Sequence, residues 1–409
     1  MKTTRRTFLG TAAASVLTIS ASERAGARSA AQRAAGRGRL FRDDIPTPAL
    51  LLDLDGFEWN IAKMSAFLKE RRRGFRPHGK THKCPEIAKA LIRAGAVGSC
   101  AAKLSEAEVF AGHGVGGLLV TTAVIGRAKI QRAVALAAKR RDTILSVDDP
   151  QNVRDLNEAA GAAGARPRVR LNLAIDLLIG GRTGIETGAP ALELATLIAS
   201  LPNVELAGLQ AYDGGASHTV GFAERKTRSL ETMGRAIETR ALIEGRGIEC
   251  PMVSGGSTGT YNIDSEIEGV TELQPGSFMF MDLDYNRIGG QDGPVYQDFR
   301  NALTVVTTVV SRPQGTAIVD GGYKAFSTDR PFRPKAKDPA LEAVPFSWGG
   351  DEHGRLDLSS APREVKLGDR LEFIVPHCDP SVNLYDSIHC LRGDRVEAVW
   401  PIAARGMSQ

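Results

Sequence analysis

From Pro46 onward, short β-branched or apolar runs alternate with longer stretches of helical period. Eight runs predict strands: Phe75 to His78, Val97 to Ala101, Leu118 to Thr122, Thr143 to Val147, Val169 to Leu173, Leu206 to Tyr212, Met252 to Ser254 and Thr271 to Gln274. Between them lie amphipathic segments such as Pro85 to Ala94, Ser105 to Ala111, Ala128 to Lys139, Gln151 to Ala160 and Phe222 to Glu244. Eight strands with intervening helices make a (β/α)8 pattern rather than an open doubly wound sheet. Beyond Asn301 the texture changes: Ala302 to Val310, Thr316 to Asp320, Arg370 to Val375 and Val396 to Ile402 are strand-like, with little helical period between them. The expected architecture is α/β, with a TIM-type (β/α)8 barrel over residues 46–300 and a C-terminal mostly-β domain over 301–405. The apolar run Ala49 to Leu54, before the barrel, is a candidate to join that second domain.

Composition agrees with a large enzyme core. The chain has 409 residues, 42% of them apolar, and 44 glycines suited to the many tight turns of such a barrel. The formal charge of +5 is unevenly placed: residues 1–40 hold eight Lys or Arg against one Glu, which leaves the other 369 residues at −2. No basic stripe with interleaved aromatics follows, so nucleic acid is not an expected partner. The leader explains the basic end. Arg5-Arg6-Thr7-Phe8-Leu9 is a twin-arginine pattern, followed by a short apolar run and an Ala25-Gly26-Ala27 site suited to signal peptidase. The run is too short to span a bilayer, so residues 1–27 read as a removable export signal and 28–45 as a linker. The expected address is periplasmic or secreted, with no membrane attachment after processing. Five widely spaced cysteines, without a CxxC, require neither a metal cluster nor a disulfide.

The stretch Gly74 to Lys83 contains G-x-x-x-x-G-K-T, the spacing of a nucleotide phosphate loop. Its context argues against that use. Pro77 lacks an N–H inside a loop that needs one, Pro85 would fall inside a helix begun at Lys80, and Lys69 to Arg73 is no buried strand. Lys80 reads better as the end of the first barrel strand, with its amine at the mouth where barrel enzymes do chemistry. A confined lysine with a depressed pKa can condense with a carbonyl; a lone lysine is more often a solvated one.

Other residues converge on the same mouth. Strand five is followed by Gly181-Arg182-Thr183-Gly184, and strand six ends in Tyr212-Asp213-Gly214 with His218 in the same loop. Strands seven and eight run into Ser254-Gly255-Gly256-Ser257-Thr258-Gly259 and Gln274-Pro275-Gly276-Ser277. Two small, hydroxyl-rich turns after strands seven and eight occupy the usual phosphate position of such barrels.

Together with Arg76-Pro77-His78-x-Lys80-Thr81-His82-Lys83 and Pro376-His377-Cys378-Asp379-Pro380, these motifs resemble the D-threonine aldolase and D-serine dehydratase group, fold type III pyridoxal phosphate enzymes with an alanine-racemase-like barrel. The resemblance spans Pro46 to Ile402. It implies that Lys80 holds pyridoxal 5'-phosphate covalently, that Arg182 and Tyr212 hold the ring, and that Ser257, Thr258, Gly259, Gly276 and Ser277 bind phosphate. It implies a divalent metal on His377 and Asp379, action of His218 on the substrate β-hydroxyl, and Asp351 with His353 lining the approach. It also implies a homodimer whose pockets are completed by the neighbour's β domain. One departure is local: Ala174-Ile175-Asp176 lacks the acidic residue that related chains carry before this Asp, and an extra residue precedes Arg182.

An H-x-D pair alternating along a strand faces one way and can share an ion, although such a pair is commonly a hydrogen-bonded structural one. The dehydratase branch resembles His-x-Cys, suited to zinc; His377 with Asp379 is a harder pair that favours manganese or magnesium, with zinc a possibility. The expected activity is therefore retro-aldol cleavage of a β-hydroxy-D-amino acid such as D-threonine to glycine and an aldehyde. The alternatives are a dehydratase giving a 2-oxo acid and ammonia, and a pyridoxal phosphate-binding protein without turnover.

Overall fold

The computed structural model describes residues 40–163 and 169–409; the expected export signal and most of the expected linker lie outside them. The first strand, β1 (Ala49–Asp53), leads into a helix, Leu54–Glu70, whose stripe Phe57, Ile61, Met64 and Leu68 is buried. Eight parallel strands follow: β2 (Gly74–Phe75), β3 (Ser99–Ala101), β4 (Leu118–Val120), β5 (Ile144–Val147), β6 (Leu171–Asp176), β7 (Val204–Ala211), β8 (Met252–Gly255) and β9 (Glu272–Leu273). They pair in the order β2-β9-β8-β7-β6-β5-β4-β3. The gap between β2 and β3 is closed by a parallel bridge of His78 with Cys100, and by Cys100 N–H to the Pro77 carbonyl at 2.9 Å. The ring is a (β/α)8 barrel, and each expected strand occurs in it.

The amphipathic segments form the surrounding helices, including Pro85–Arg93, Arg127–Lys139, Pro150–Ala162 and Phe222–Glu244. Pro85 and Pro150 stand in the first turn of their helices, where a missing N–H costs nothing. The main apolar core lies between strands and helices, whereas part of the barrel interior is polar and paired. Arg76 donates to both oxygens of Glu272, at 2.7 and 2.8 Å, and Glu272 also accepts from Ser254 at 2.6 Å. Gln210 donates to Asp176 at 2.9 Å and accepts from Ser146 at 3.1 Å. Arg76, Glu272 and Asp176 thus each have a partner, which offsets much of their desolvation cost and gives the mouth a rigid floor.

The second sheet runs β13 (Phe346–Trp348), β14 (Gly354–Asp357), β11 (Thr316–Val319), β10 (Leu303–Ser311), β1, β16 (Ser387–Arg392), β17 (Arg395–Pro401). β15 (Arg370–Ile374) pairs with β10 and with β12 (Lys335–Ala336). β1 lies between β10, antiparallel, and β16, parallel, so residues 49–53 belong to this sheet although the barrel follows them in sequence. Hydrogen bonds from Leu283 N–H to Val375 and from Asp284 N–H to Pro376, both 3.1 Å, tie the loop after β9 to the end of β15. This seam carries His377 and Asp379 to the barrel mouth.

Candidate active site

Lys80 does not end a strand. Pairing lapses after β2, and Gly79–Thr81 forms a 3₁₀ turn in which the His78 imidazole accepts the Lys80 N–H at 3.3 Å. Gly79 is required there: a Cβ would lie 2.4 Å from the Phe110 ring and 2.9 Å from the Cys100 carbonyl. The following helix starts only at Pro85, so a phosphate loop opening a helix at Lys80 is absent. Lys80 Nζ lies 3.4 Å from Asp379 Oδ2, with 37% of its side chain exposed. The expected depression of its pKa is overturned: the Asp379 carboxylate raises it, outweighing burial, with Tyr212 adding to the effect. The Arg182 guanidinium stands 5.8 Å from the Tyr212 ring centre at the same mouth.

The turns after β8 and β9 interlock. Phe278 N–H donates to Thr258 Oγ1 at 3.0 Å, and Gly259 N–H to Ser257 Oγ at 3.2 Å. A Cβ on Gly259 would sit 2.1 Å from the Ser217 carbonyl, and one on Gly276 2.5 Å from Thr81 Oγ1, so both turns need glycine. The backbone N–H groups of Thr258, Gly276 and Ser277 find no acceptor among the described residues, although Thr258 and Ser277 are buried. Unpaired donors of this kind are costly unless an anion sits against them.

Ser217 links this cup to His218, its Oγ lying 2.6 Å from Ser257 Oγ and 2.9 Å from Tyr285 Oη. The His218 ring packs against Tyr285 with centroids 4.7 Å apart, and its Nδ1 lies 3.2 Å from Asp284 Oδ2. Burial lowers the His218 pKa to about 4 against the pull of Asp284, so the ring is neutral near pH 7. Asp284 is fully buried and pairs with Arg287 and Arg330, each at 2.8 Å; its pKa is lowered despite burial, by His218 and the two arginines.

The second-domain pair differs from the expected geometry. His377 and Asp379 do not alternate along a strand: His377 caps a short helix, Cys378–Val382, with Asp379 in its first turn. Pro376 cannot donate to a ladder and follows the end of β15 at Ile374, and Pro380 suits an early helical position, so the strand stops before His377. His377 Nδ1 lies 2.7 Å from Asp329 Oδ2, which leaves Nε2 as the free ring nitrogen. Asp379 is held well below the usual carboxylate range in spite of burial, chiefly by Lys80 and then by His377, and so is ionised. Among the described residues no group of three or more His, Cys, Asp or Glu side chains is arranged to hold a metal by itself.

The alanine racemase N-terminal domain model matches residues 52–284, and the serine dehydratase domain model matches 302–391. A 3-hydroxy-D-aspartate aldolase of Paracoccus denitrificans is 36% identical over 381 residues, covering 90% of this chain and 94% of that one. The crystal structure of D-threonine aldolase from Filomicrobium marinum superposes with a TM-score of 0.86 at 37% identity, covering 91% of this chain and 99% of that one. The chain belongs to the D-threonine aldolase family of fold type III pyridoxal phosphate enzymes. A D-threo-3-hydroxyaspartate dehydratase of Delftia sp. is more distant, at 27% identity over 387 residues covering 87% of this chain and 97% of that one.

As a lyase of this family, the chain gathers Lys80, Asp379, Arg182, Tyr212, His218, His377 and the two turns at one mouth. Asp351 and His353 stand apart, in the exposed turn between β13 and β14, bonded to Lys324 and Gly349. Neither has a hydrogen bond or ion pair with Lys80, His218, Arg182 or Tyr212 among the described residues. Sequence reasoning missed Asp282, Asp284, Tyr285, Asp329 and Arg330. The one available signal was the acidic, aromatic run Met281-Asp282-Leu283-Asp284-Tyr285 just past the second turn.

Proposed function

We propose that this chain cleaves β-hydroxy-D-amino acids of the D-threonine kind to glycine and an aldehyde, with pyridoxal 5'-phosphate and a divalent metal. The observation that carries the reading is the 3.4 Å contact of Lys80 with Asp379, which puts the cofactor amine and a metal-ligand candidate in one site. The cup of unpaired N–H groups at Thr258, Gly276 and Ser277 fits a phosphate. Bound there, pyridoxal phosphate supplies a sink for the electrons left at Cα when Cα–Cβ breaks.

The side chains then have separate tasks. Lys80 would hold the aldehyde of the cofactor, Arg182 and Tyr212 would hold its ring, and the two turns would hold its phosphate. His377, with Nδ1 held by Asp329, and Asp379 would hold a manganese or magnesium ion, zinc being the softer option; its chemistry is to lower the pKa of the substrate β-hydroxyl. His218, neutral and with Nδ1 toward Asp284, takes the hydroxyl proton on Nε2. Asp284, pinned by Arg287 and Arg330, holds the imidazole in place and stabilises its charged form.

Asp379, in place of the cysteine of a His-x-Cys pair, favours the aldolase over the dehydratase. Incubating the purified protein with pyridoxal phosphate, Mn²⁺ and either D-threonine or 3-hydroxy-D-aspartate separates the outcomes. Glycine with an aldehyde supports the proposal, a 2-oxo acid with ammonia supports the dehydratase, and neither product from either substrate removes both. We propose further that the protein is exported by its twin-arginine leader. It would act as a homodimer, and the exposed turn bearing Asp351 and His353 is the part of the β domain that would reach the partner's mouth.

A further inference from the structure

Arg225 is a fully buried cation without a carboxylate partner among the described residues. It lies in the first turn of the 23-residue helix Phe222–Glu244, where the helix dipole already disfavours positive charge. Its guanidinium donates only to backbone carbonyls: Nε to Gly259 at 2.8 Å, Nη1 to Thr219 at 2.9 Å and Ile288 at 3.0 Å, and Nη2 to Gly289 at 2.8 Å. The four carbonyls take four of the five N–H groups, and the Phe222 and Tyr296 rings stand 5.7 and 5.8 Å away, but no carboxylate answers the net charge, an arrangement that is costly in a dry interior. Asp298 is felt at a distance, but it accepts from Tyr261 at 3.0 Å and makes no ion pair with Arg225. Asp264, behind the turn after β8, accepts from Ser229 and Thr260 and is pushed up to about 6 by burial. Its oxygens go to those two hydroxyls, and it makes no ion pair with Arg225.

The four acceptors place the charge. Gly259 belongs to the turn after β8, Thr219 follows His218, and Ile288 and Gly289 close the segment that carries Asp284 and Tyr285. One buried guanidinium therefore joins the phosphate cup, the His218 loop and the Asp284 loop. We propose that Arg225 is the positioning residue for the cofactor phosphate, its charge standing one peptide behind the cup as counterion to the dianion while its four bonds hold the cup in shape. The inference rests on pyridoxal phosphate binding as set out above, and it assigns the missing anion to the cofactor itself.

The discriminating measurement compares pyridoxal phosphate with pyridoxal, which lacks the phosphate, as ligands of the wild type, R225K and R225Q, by fluorescence titration with no substrate present. If Arg225 acts on the phosphate, R225Q loses about tenfold or more in affinity for pyridoxal phosphate while its affinity for pyridoxal stays within about twofold, and R225K keeps most of the preference. Equal losses for both ligands in R225Q, or no loss for either, overturn the proposal. Should R225Q not fold, ³¹P NMR of the wild-type holoenzyme decides. A phosphate signal constant from about pH 5.5 to about pH 8 is expected of a dianion held by a buried cation, and titration near the ordinary phosphate value of about 6 overturns it. A wild type that binds no pyridoxal phosphate sinks the functional reading and this inference together; a wild type that prefers it, with that preference intact in R225Q, sinks this one alone.

Discussion

Asp379 Oδ2 lies 3.4 Å from Lys80 Nζ, a contact between a barrel loop and a helix of the second domain. It joins the residue that would hold the cofactor to one that would hold the metal. Replacing Lys80 by alanine is expected to abolish activity and to remove the borohydride-fixed pyridoxyl group from the peptide containing residue 80. Undiminished activity with the label elsewhere would end the assignment.

His218 should set the acid limb of the activity. Its pKa is lowered to about 4 by burial, so the ring is neutral through pH 6 to 8 and gains a proton only below about pH 5. H218Q is expected to lower kcat by about 10²–10⁴-fold and to remove that limb. The same shift bears on stability. Between the folded value of about 4 and the ordinary 6.5 the unfolded chain binds the extra proton, so this residue's contribution is present above pH 6.5 and is lost as pH falls toward 4. A pH series of denaturant midpoints for wild type and H218Q would show it; parallel curves would refute it.

Asp329 should act through His377. The 2.7 Å contact with Nδ1 orients the ring and raises the basicity of Nε2. D329N is expected to weaken Mn²⁺ binding about 10–100-fold by calorimetry, without changing pyridoxal phosphate affinity. Unchanged metal affinity would leave Asp329 a surface partner only.

Gly259 should tolerate no side chain. A Cβ there meets the Ser217 carbonyl at 2.1 Å, and Ser217 in turn holds Ser257 at 2.6 Å. G259A is expected to cost about 1–3 kcal/mol in stability and to weaken cofactor binding, read by thermal denaturation and by titration with pyridoxal phosphate. A variant with wild-type values in both would show that the loops move apart freely.

Much of the barrel was legible because its signals are local. Proline in a first turn, glycine after a helix and the stripe of Phe222–Glu244 act over a few residues, so periodicity located them to within a turn. The short strands β12, β13, β14 and β16 were not legible. Ser387–Arg392, with its central His389, is too short and mixed to announce a strand, and forms one only because β1 and β17 pair with it. The alternation of His377 with Asp379 along a strand failed for a local reason, the prolines at 376 and 380 on either side of the pair.

The amino-acid order alone determined the alternation that builds the barrel, the glycines that the two turns demand, and part of the set of chemical groups at the mouth, because each is written in near neighbours. Only the tertiary structure decided that Asp379 neutralises Lys80, that Asp284 stands beside His218 under two arginines, that Asp329 holds His377, and that Arg225 is buried without an anion. Those relationships pair groups far apart in the chain. Their energies depend on distance and burial, which no window of sequence contains.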